Sequence, residues 1–241
     1  MNVEVLKDTH VGERCFLLGS GPSLNDYDLS KLYDEQVFAT LYFFFAKDYT
    51  KFNNLYLHYS ARFPCNTGIM PGRYIPMSKR NKRAKFFYRK CFKEVNDEKN
   101  FYDDKDVFYL EMDKGKPLME GAEFKTDISK PITMCGTIVA DFMLPVIHYM
   151  GFDTVYVMGC DCTDTNAHEI PPHFYPNERM ATIEQQLVIG YSDGFDSSDL
   201  NVIWDECRKK FESDGKKIYN TTDKTNLKVL EVVDYETLFD S

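Results

Sequence analysis

An α/β fold with a doubly wound, mostly parallel sheet is what this sequence predicts, on three observations. Four largely apolar residues, Cys15-Phe16-Leu17-Leu18, run directly into Gly19-Ser20-Gly21-Pro22-Ser23. A second apolar run, Thr154-Val155-Tyr156-Val157-Met158, ends in Gly159-Cys160-Asp161. Around them, stretches with apolar residues at helical spacing alternate with short apolar runs, the pattern of a parallel sheet covered by helices. At 241 residues the chain can bury a full core. It suits one domain over 1–241, with a small helical lid or insertion at about 60–130.

Residues 14–19 read as the first strand, and residues 23–33 as a turn and short helix. Glycine lacks a Cβ, so the Gly19–Ser23 turn can bring main-chain amides onto an anion at the mouth of a helix. Pro22 suits the first helical position, where no N–H is needed. Ser20 or Ser23 can cap the amides or offer a hydroxyl to a phosphate. A dinucleotide fingerprint would want a third glycine where Leu24 stands, and a Walker loop would want Gly-Lys-Ser/Thr. An ordinary strand-to-helix turn would read the same way.

Gln36–Phe45 is apolar and aromatic, and reads as a second strand; Asn54–Tyr59 alternates as a third, followed by a loop over 60–71. From Lys79 to Lys93 eight Lys/Arg residues interleave with Phe86, Phe87, Tyr88 and Phe92, with no acid among them. This suits a basic amphipathic helix. It pairs with the acidic stretch Asp97, Glu98, Asp103, Asp104 and Asp106, or else closes as a lid over an anionic donor or touches an anionic lipid surface. Val107–Met112 reads as an edge strand and 113–130 as loop.

Residues 136–150 carry Ile138, Phe142, Val146 and Met150 at steps of four, a helix closed by Gly151 and kinked at Pro145. The strand 154–158 then puts Asp161 at its carboxyl end, where open α/β sheets place ligand groups. The loop 162–180 holds His168 and His173. Leu200, Ile203, Trp204, Cys207 and Phe211 mark an amphipathic helix. Lys217–Asn220 reads as a strand running into Thr221-Thr222, and 227–239 as a last strand and closing turn.

The formal charge is −9, which argues against broad nucleic-acid binding. No secretory leader pattern opens the sequence, and no run approaches the ~18 apolar residues of a membrane span. Seven scattered cysteines, several of them in apolar runs, and Cys160-Asp161-Cys162 without a partner pair argue against a zinc site and for a reducing cytoplasm.

The run Gly12-Glu-Arg-Cys-Phe-Leu-Leu-Gly-Ser-Gly-Pro-Ser-Leu-Asn-Asp-Tyr-Asp-Leu-Ser-Lys-Leu resembles the opening of the sialyltransferase-like proteins related to 6-hydroxymethylpterin diphosphokinases. Further matches follow in order: Thr133 to Asp161, the pair His173-Phe174, and Ile218-Tyr-Asn-Thr-Thr with Val233-Asp-Tyr-Glu-Thr-Leu-Phe. The resemblance implies a Rossmann-like domain with a lid. It implies that Gly19, Ser20, Gly21, Pro22 and Ser23 contact a donor nucleotide, with Gly136 and Thr137 against the nucleotide or sugar. Asp161 would lie at the donor edge and Asn220, Thr221 and Thr222 beside the base or ribose. Three positions depart from the family pattern. Thr40 and Leu41 stand near its second-strand asparagine, Cys162 and Thr163 follow the strand-end aspartate where it carries a tyrosine, and Gly190-Tyr191-Ser192 replaces Gly-His-Ser. These departures weaken sialic acid as the donor sugar and leave the nucleotide scaffold intact.

The reading that follows is a glycosyltransferase moving a sugar from a CMP-activated donor to a glycan hydroxyl, without a required cofactor. Such transfer needs a base at the acceptor and stabilisation of the leaving phosphate. His173 is the first candidate base and His168 the second, while Tyr191 can donate to a phosphate. One alternative is an ATP-dependent diphosphokinase, with Mg²⁺ on Asp161 and Asp164; another is a nucleotide-binding scaffold without turnover. The family often associates, so a homo-oligomer is an expected partner. A cytoplasmic chain touching the membrane through Lys79–Lys93 is the expected location.

Overall fold

The computed structural model describes residues 2–59, 75–113, 118, 121–133, 139–164, 173–175 and 197–240. Eight strands form one sheet: β1 (Arg14–Leu18), β2 (Gln36–Thr40), β3 (Asn54–Tyr59), β4 (Lys85–Arg89), β5 (Val107–Leu110), β6 (Thr154–Met158), β7 (Lys217–Asn220) and β8 (Glu231–Val232). Their spatial order is β5-β4-β3-β2-β1-β6-β7-β8, and every pair is parallel. The order reverses between β1 and β6, where Leu18 lies in register with Met158. In such sheets the crevice outside the strand ends at the reversal is the natural ligand position.

The central strands β1 and β2 are buried on both faces, which is why they read as continuous apolar runs rather than alternations. On β1, Cys15 and Leu17 pack into one core and Phe16 and Leu18 into the other, all fully buried. The first core lies under helix α2 (Leu144–Tyr149) and helix α3 (Ser197–Ser213), the numbering leaving α1 for Phe92–Lys99. Trp204, Cys207 and Phe211 of α3 face that core, as their spacing predicts. The second core is roofed by 3-10 turns at Pro22–Asp26, Leu29–Leu32, Leu41–Phe45 and Tyr49–Lys51, together with α1 and the closing turn Glu236–Phe239.

Three local expectations are corrected first. The second strand stops at Thr40 rather than Phe45. Its neighbour β1 turns away after Leu18, so the ladder on that side ends. The chain then coils to bury Phe43 and Phe44 over the second core. The 23–33 segment is two 3-10 turns, with Asp28 capping the second by accepting from the Ser30 N–H at 3.0 Å. Pro145 does not kink a uniform α-helix. A π-helical turn, Val139–Met143, precedes it, and α2 starts around the proline, whose missing N–H leaves the wider turn without an α-type bond at that point. Gly151 closes α2 as expected, with φ +92° and its N–H on His148 O at 3.1 Å.

The largest correction concerns Lys79–Lys93, which is not a basic amphipathic helix. A helical turn at 75–78 ends before it, and Lys85–Arg89 is strand β4, inside the sheet between β3 and β5. Phe86 and Tyr88 enter the second core and Phe87 the first. Three adjacent rings that must be buried on opposite sides fit a period of two, not 3.6. The cations collect at the strand's ends, and the pairing with the acidic stretch holds at Lys85–Asp106, 2.7 Å, and Lys93–Asp97, 2.6 Å, while Lys90 pairs outside it, with Glu111 at 2.7 Å. Residues 85–110, within the stretch expected as a lid, are thus sheet and its connecting helix, with β5 at the edge as expected. No described helix is long and apolar enough to cross a membrane. Cys15, Cys160 and Cys207 are buried as read, whereas Cys91 is disulfide-bonded.

Candidate functional site

Four strand ends meet at the reversal point. β1 delivers Gly19–Ser23, β2 delivers Thr40, β6 delivers Gly159–Asp161 and β7 delivers Asn220 with Thr221 and Thr222. The strands are largely apolar where they are buried between the two cores, and these polar residues stand at their carboxyl ends.

The glycine turn is stitched to the end of β6. Gly19 N–H donates to Met158 O and Gly21 N–H to Gly159 O, both at 2.7 Å. Ser23 N–H donates to Asp161 Oδ2 at 2.9 Å, and the Ser23 hydroxyl donates to Asp161 Oδ1. The anion held at this turn is therefore the protein's own carboxylate, buried at 9% exposure. Among the described residues the Ser20 N–H is the amide of Gly19–Ser23 left without a bond, Pro22 having none. The glycines are needed for contact between the two loops. A Cβ at Gly19 would overlap Gly159 O, and one at Gly21 would lie 2.5 Å from Asp161 Cγ. Gly21 itself has φ −67°, open to any residue, so only the neighbouring carboxylate demands glycine there.

A pair of hydroxyls sits beside this joint. Ser20 Oγ, just past β1, and Thr40 Oγ1, at the end of the neighbouring β2, are 2.9 Å apart. Across the crevice, Thr221 Oγ1 donates to Val157 O at 3.1 Å and lies 3.2 Å from the Tyr27 hydroxyl. Thr225 Oγ1 donates to Cys160 O at 2.8 Å, and Asn226 N–H to Asp161 O at 2.9 Å. Asn220 is fully buried, with Oδ1 accepting from Thr222 N–H at 3.4 Å and Nδ2 without a partner among the described residues. A buried amide donor left open at a strand end is costly unless something reaches it.

His173 is placed against the same turn. Phe174 N–H donates to Ser20 O at 2.9 Å, and Asn25 Nδ2 donates to Phe174 O at 3.1 Å. Two bonds thus pin the tripeptide His173–Tyr175 onto the glycine turn, and the imidazole stacks on Tyr175 with centroids 4.9 Å apart. The structure brings together Gly19, Ser20, Gly21, Pro22, Ser23, Thr40, Asp161, His173, Asn220, Thr221 and Thr222. His168, Tyr191, Gly136 and Thr137 lie outside the described residues.

The thiols flanking Asp161 are not poised for reaction. Burial pushes the Cys162 thiol up to about 12, with Asp161 and Asp164 adding to the effect, and raises Cys160 well above its ordinary value. Asp161 and Asp164 point to different partners. Asp161 is engaged by Ser23, while Asp164 Oδ2 lies 3.4 Å from Asn226 Nδ2. Among the described residues no three His, Cys, Asp or Glu side chains cluster as a metal site would require. Sequence reasoning missed Ser23 as the partner of Asp161 and Asn25 as the anchor of the His173 segment. Residues 138 and 149 positions apart carry no local signal of contact.

No family model matches the chain, and no curated protein matches it in sequence. Solved structures do match in fold. A variant of the sialyltransferase CST-II in complex with CMP aligns at a TM-score of 0.53 and 15% identity, over 90% of this chain and 86% of that one. The sialyltransferase CstII from Campylobacter jejuni in complex with cytidine-5'-monophosphate aligns at 0.50 and 16% identity, over 92% and 85%. The chain is similar to these proteins in architecture along nearly its whole length, which agrees with the fold that the sequence resemblance implied.

Proposed function

We propose that this chain is a glycosyltransferase that moves a sugar from a CMP-activated donor to a hydroxyl of a glycan acceptor. The observation that carries the reading is the set of polar strand ends at the β1/β6 reversal: Ser20, Thr40, Asp161 and Asn220–Thr222, with His173 pinned beside them. The shared fold with CMP-bound sialyltransferases supports the nucleotide class.

In this reading the donor lies across the strand ends. The Ser20 N–H and the Ser20 and Thr40 hydroxyls take the phosphate side, and Asn220–Thr222 take the ribose or base. Asp161 is a positioning residue: its carboxylate holds the Ser23 end of the turn and so fixes where Ser20 points. The acceptor hydroxyl attacks the anomeric carbon, the bond from that carbon to the phosphate oxygen breaks, and CMP leaves with the bonding pair. His173 takes the hydroxyl proton as the new glycosidic bond forms. An imidazole is suited to this near neutral pH, and a positioned base of this kind contributes ~10²–10⁴-fold. No metal is required by this scheme.

The test is calorimetric titration with CMP, UDP, GDP and ATP. Tightest binding of CMP supports the reading. Preference for ATP with Mg²⁺-dependent turnover would replace it with the diphosphokinase alternative, and CMP binding with no transfer across a broad acceptor screen would leave a binding scaffold.

A further inference from the structure

Beside the crevice, between the 3-10 turns of residues 22–32 and the segment 45–48, opens a cavity of about 470 Å³. This is within the roughly 300–1,000 Å³ of small-ligand sites. Aromatic rings form part of its wall, with Tyr27, Tyr33, Phe45, Phe174 and Tyr175 all lining it. Set among the rings are the carboxylates Asp28 and Asp48, the amide of Asn25 and the ammonium of Lys47.

The polar groups are held in place and still have capacity. Asp28 takes both of its bonds, from Ser30 N–H at 3.0 Å and the Ser30 hydroxyl at 2.6 Å, on Oδ1. Its Oδ2 is unused among the described residues. Asn25 donates to Phe174 O through Nδ2 and keeps its carbonyl oxygen. Asp48 is fixed by Lys51 at 3.1 Å and by a hydrogen bond with Tyr33.

This chemistry selects a class of ligand. An apolar guest would cover two carboxylates without pairing them, a desolvation cost with no return. An anionic guest would meet the carboxylates of Asp28 and Asp48, which outnumber the ammonium of Lys47. A neutral sugar ring satisfies both parts: its C–H face packs on an aromatic ring, and its hydroxyls donate to carboxylate and amide oxygens.

The cavity also adjoins the candidate base. His173 stacks on Tyr175 at 4.9 Å, and Tyr175 packs on Phe45 at 4.9 Å, both of the latter lining the cavity. The wall between cavity and crevice is the tripeptide pinned by Ser20 and Asn25. We propose that this cavity is the acceptor subsite, holding a neutral sugar unit whose hydroxyl is presented past Tyr175 to His173. The assignment rests on the glycosyltransferase reading for the word acceptor, but its carbohydrate chemistry is tested without turnover.

The experiment is saturation-transfer NMR on the full chain with lactose and methyl β-D-galactopyranoside at about 10 mM, a concentration that fills a millimolar site. A parallel calorimetric titration with CMP reads the donor crevice. Two variants are compared: Ala46→Trp, which fills the cavity, and Asp48→Asn, which removes a carboxylate whose side chain is 39% exposed and keeps the assay available if the first does not fold. Expected are transfer to ring protons in the parent, an affinity drop of about tenfold in either folded variant (~1.4 kcal/mol), and unchanged CMP binding. No transfer from either sugar, or undiminished transfer in both variants, overturns the proposal. Sugar binding without CMP binding upholds the cavity and refutes the donor reading, and CMP binding without sugar binding does the opposite.

Discussion

Replacing Gly21 with alanine tests the joint between the glycine turn and β6. The backbone at Gly21 has φ −67° and ψ 153°, so alanine costs nothing in conformation. The penalty is steric: the new Cβ would lie 2.5 Å from Asp161 Cγ and 2.6 and 2.7 Å from its oxygens. The carboxylate must swing away and give up both bonds from Ser23, one of them the 2.9 Å bond from the main-chain N–H. Hydrogen bonds to a charged group are worth a net ~1.5–3 kcal/mol each, so losing two at the low end of that range costs about 3 kcal/mol. For a chain of this size that lowers the melting temperature by about 6–12 °C. Asp161→Ala forfeits the same two bonds and leaves Ser23 unpaired in a buried place, so it too costs about 3 kcal/mol. In the double variant the clash has no object, and the total stays near 3 kcal/mol rather than reaching ~6. Urea and thermal unfolding of the four proteins measure the cycle. Additive losses, with no coupling between positions 21 and 161, would refute the claim that the glycine exists to admit that carboxylate.

Three other perturbations follow from the same geometry. His58 is fully buried, stacked on Phe87 at 4.7 Å, and both ring nitrogens lack partners among the described residues; burial lowers it from 6.5 to about 3. The unfolded chain therefore binds a proton below about pH 6.5 that the folded chain refuses until about pH 3, so stability is lost as pH falls through that window, by ~2 kcal/mol at pH 5. His58→Phe should flatten the acid limb of a melting-temperature profile, and an unchanged limb counts against this account. His173→Ala should lower transfer by ~10²-fold or more while CMP affinity stays within about twofold; full activity would remove His173 from the chemistry. Thr40→Val deletes the partner of the Ser20 hydroxyl and should weaken CMP binding about fivefold (~1 kcal/mol) with little change in melting temperature, while equal CMP affinity would take this hydroxyl pair out of the donor site.

Much of the architecture was readable because parallel strands buried on both sides leave continuous apolar runs. Cys15–Leu18, Thr154–Met158 and Lys217–Asn220 are strands as read, and α3 follows its apolar spacing from Leu200 to Phe211. The same rule, applied less strictly, would have found β4. Phe86-Phe87-Tyr88 is a short apolar run too, but the cations around it outweighed three residues in a long window. Gln36–Phe45 misled for a different reason. Its composition is uniform, and what ends β2 at Thr40 is the departure of β1, a neighbour that local sequence does not describe.

By itself, then, the chain's amino-acid order determined a sheet of buried parallel strands, the glycine turn after β1, the carboxylate after β6 and the polar stretch after β7. Those are local properties, set by burial, backbone freedom and side-chain period. Only the tertiary structure decided that the carboxylate closes on Ser23, that Ser20 meets Thr40, and that His173 is fastened to the turn by Asn25 and Ser20. These contacts join strands and loops whose proximity depends on strand order across the whole sheet, and strand order is settled by the packing of both cores together.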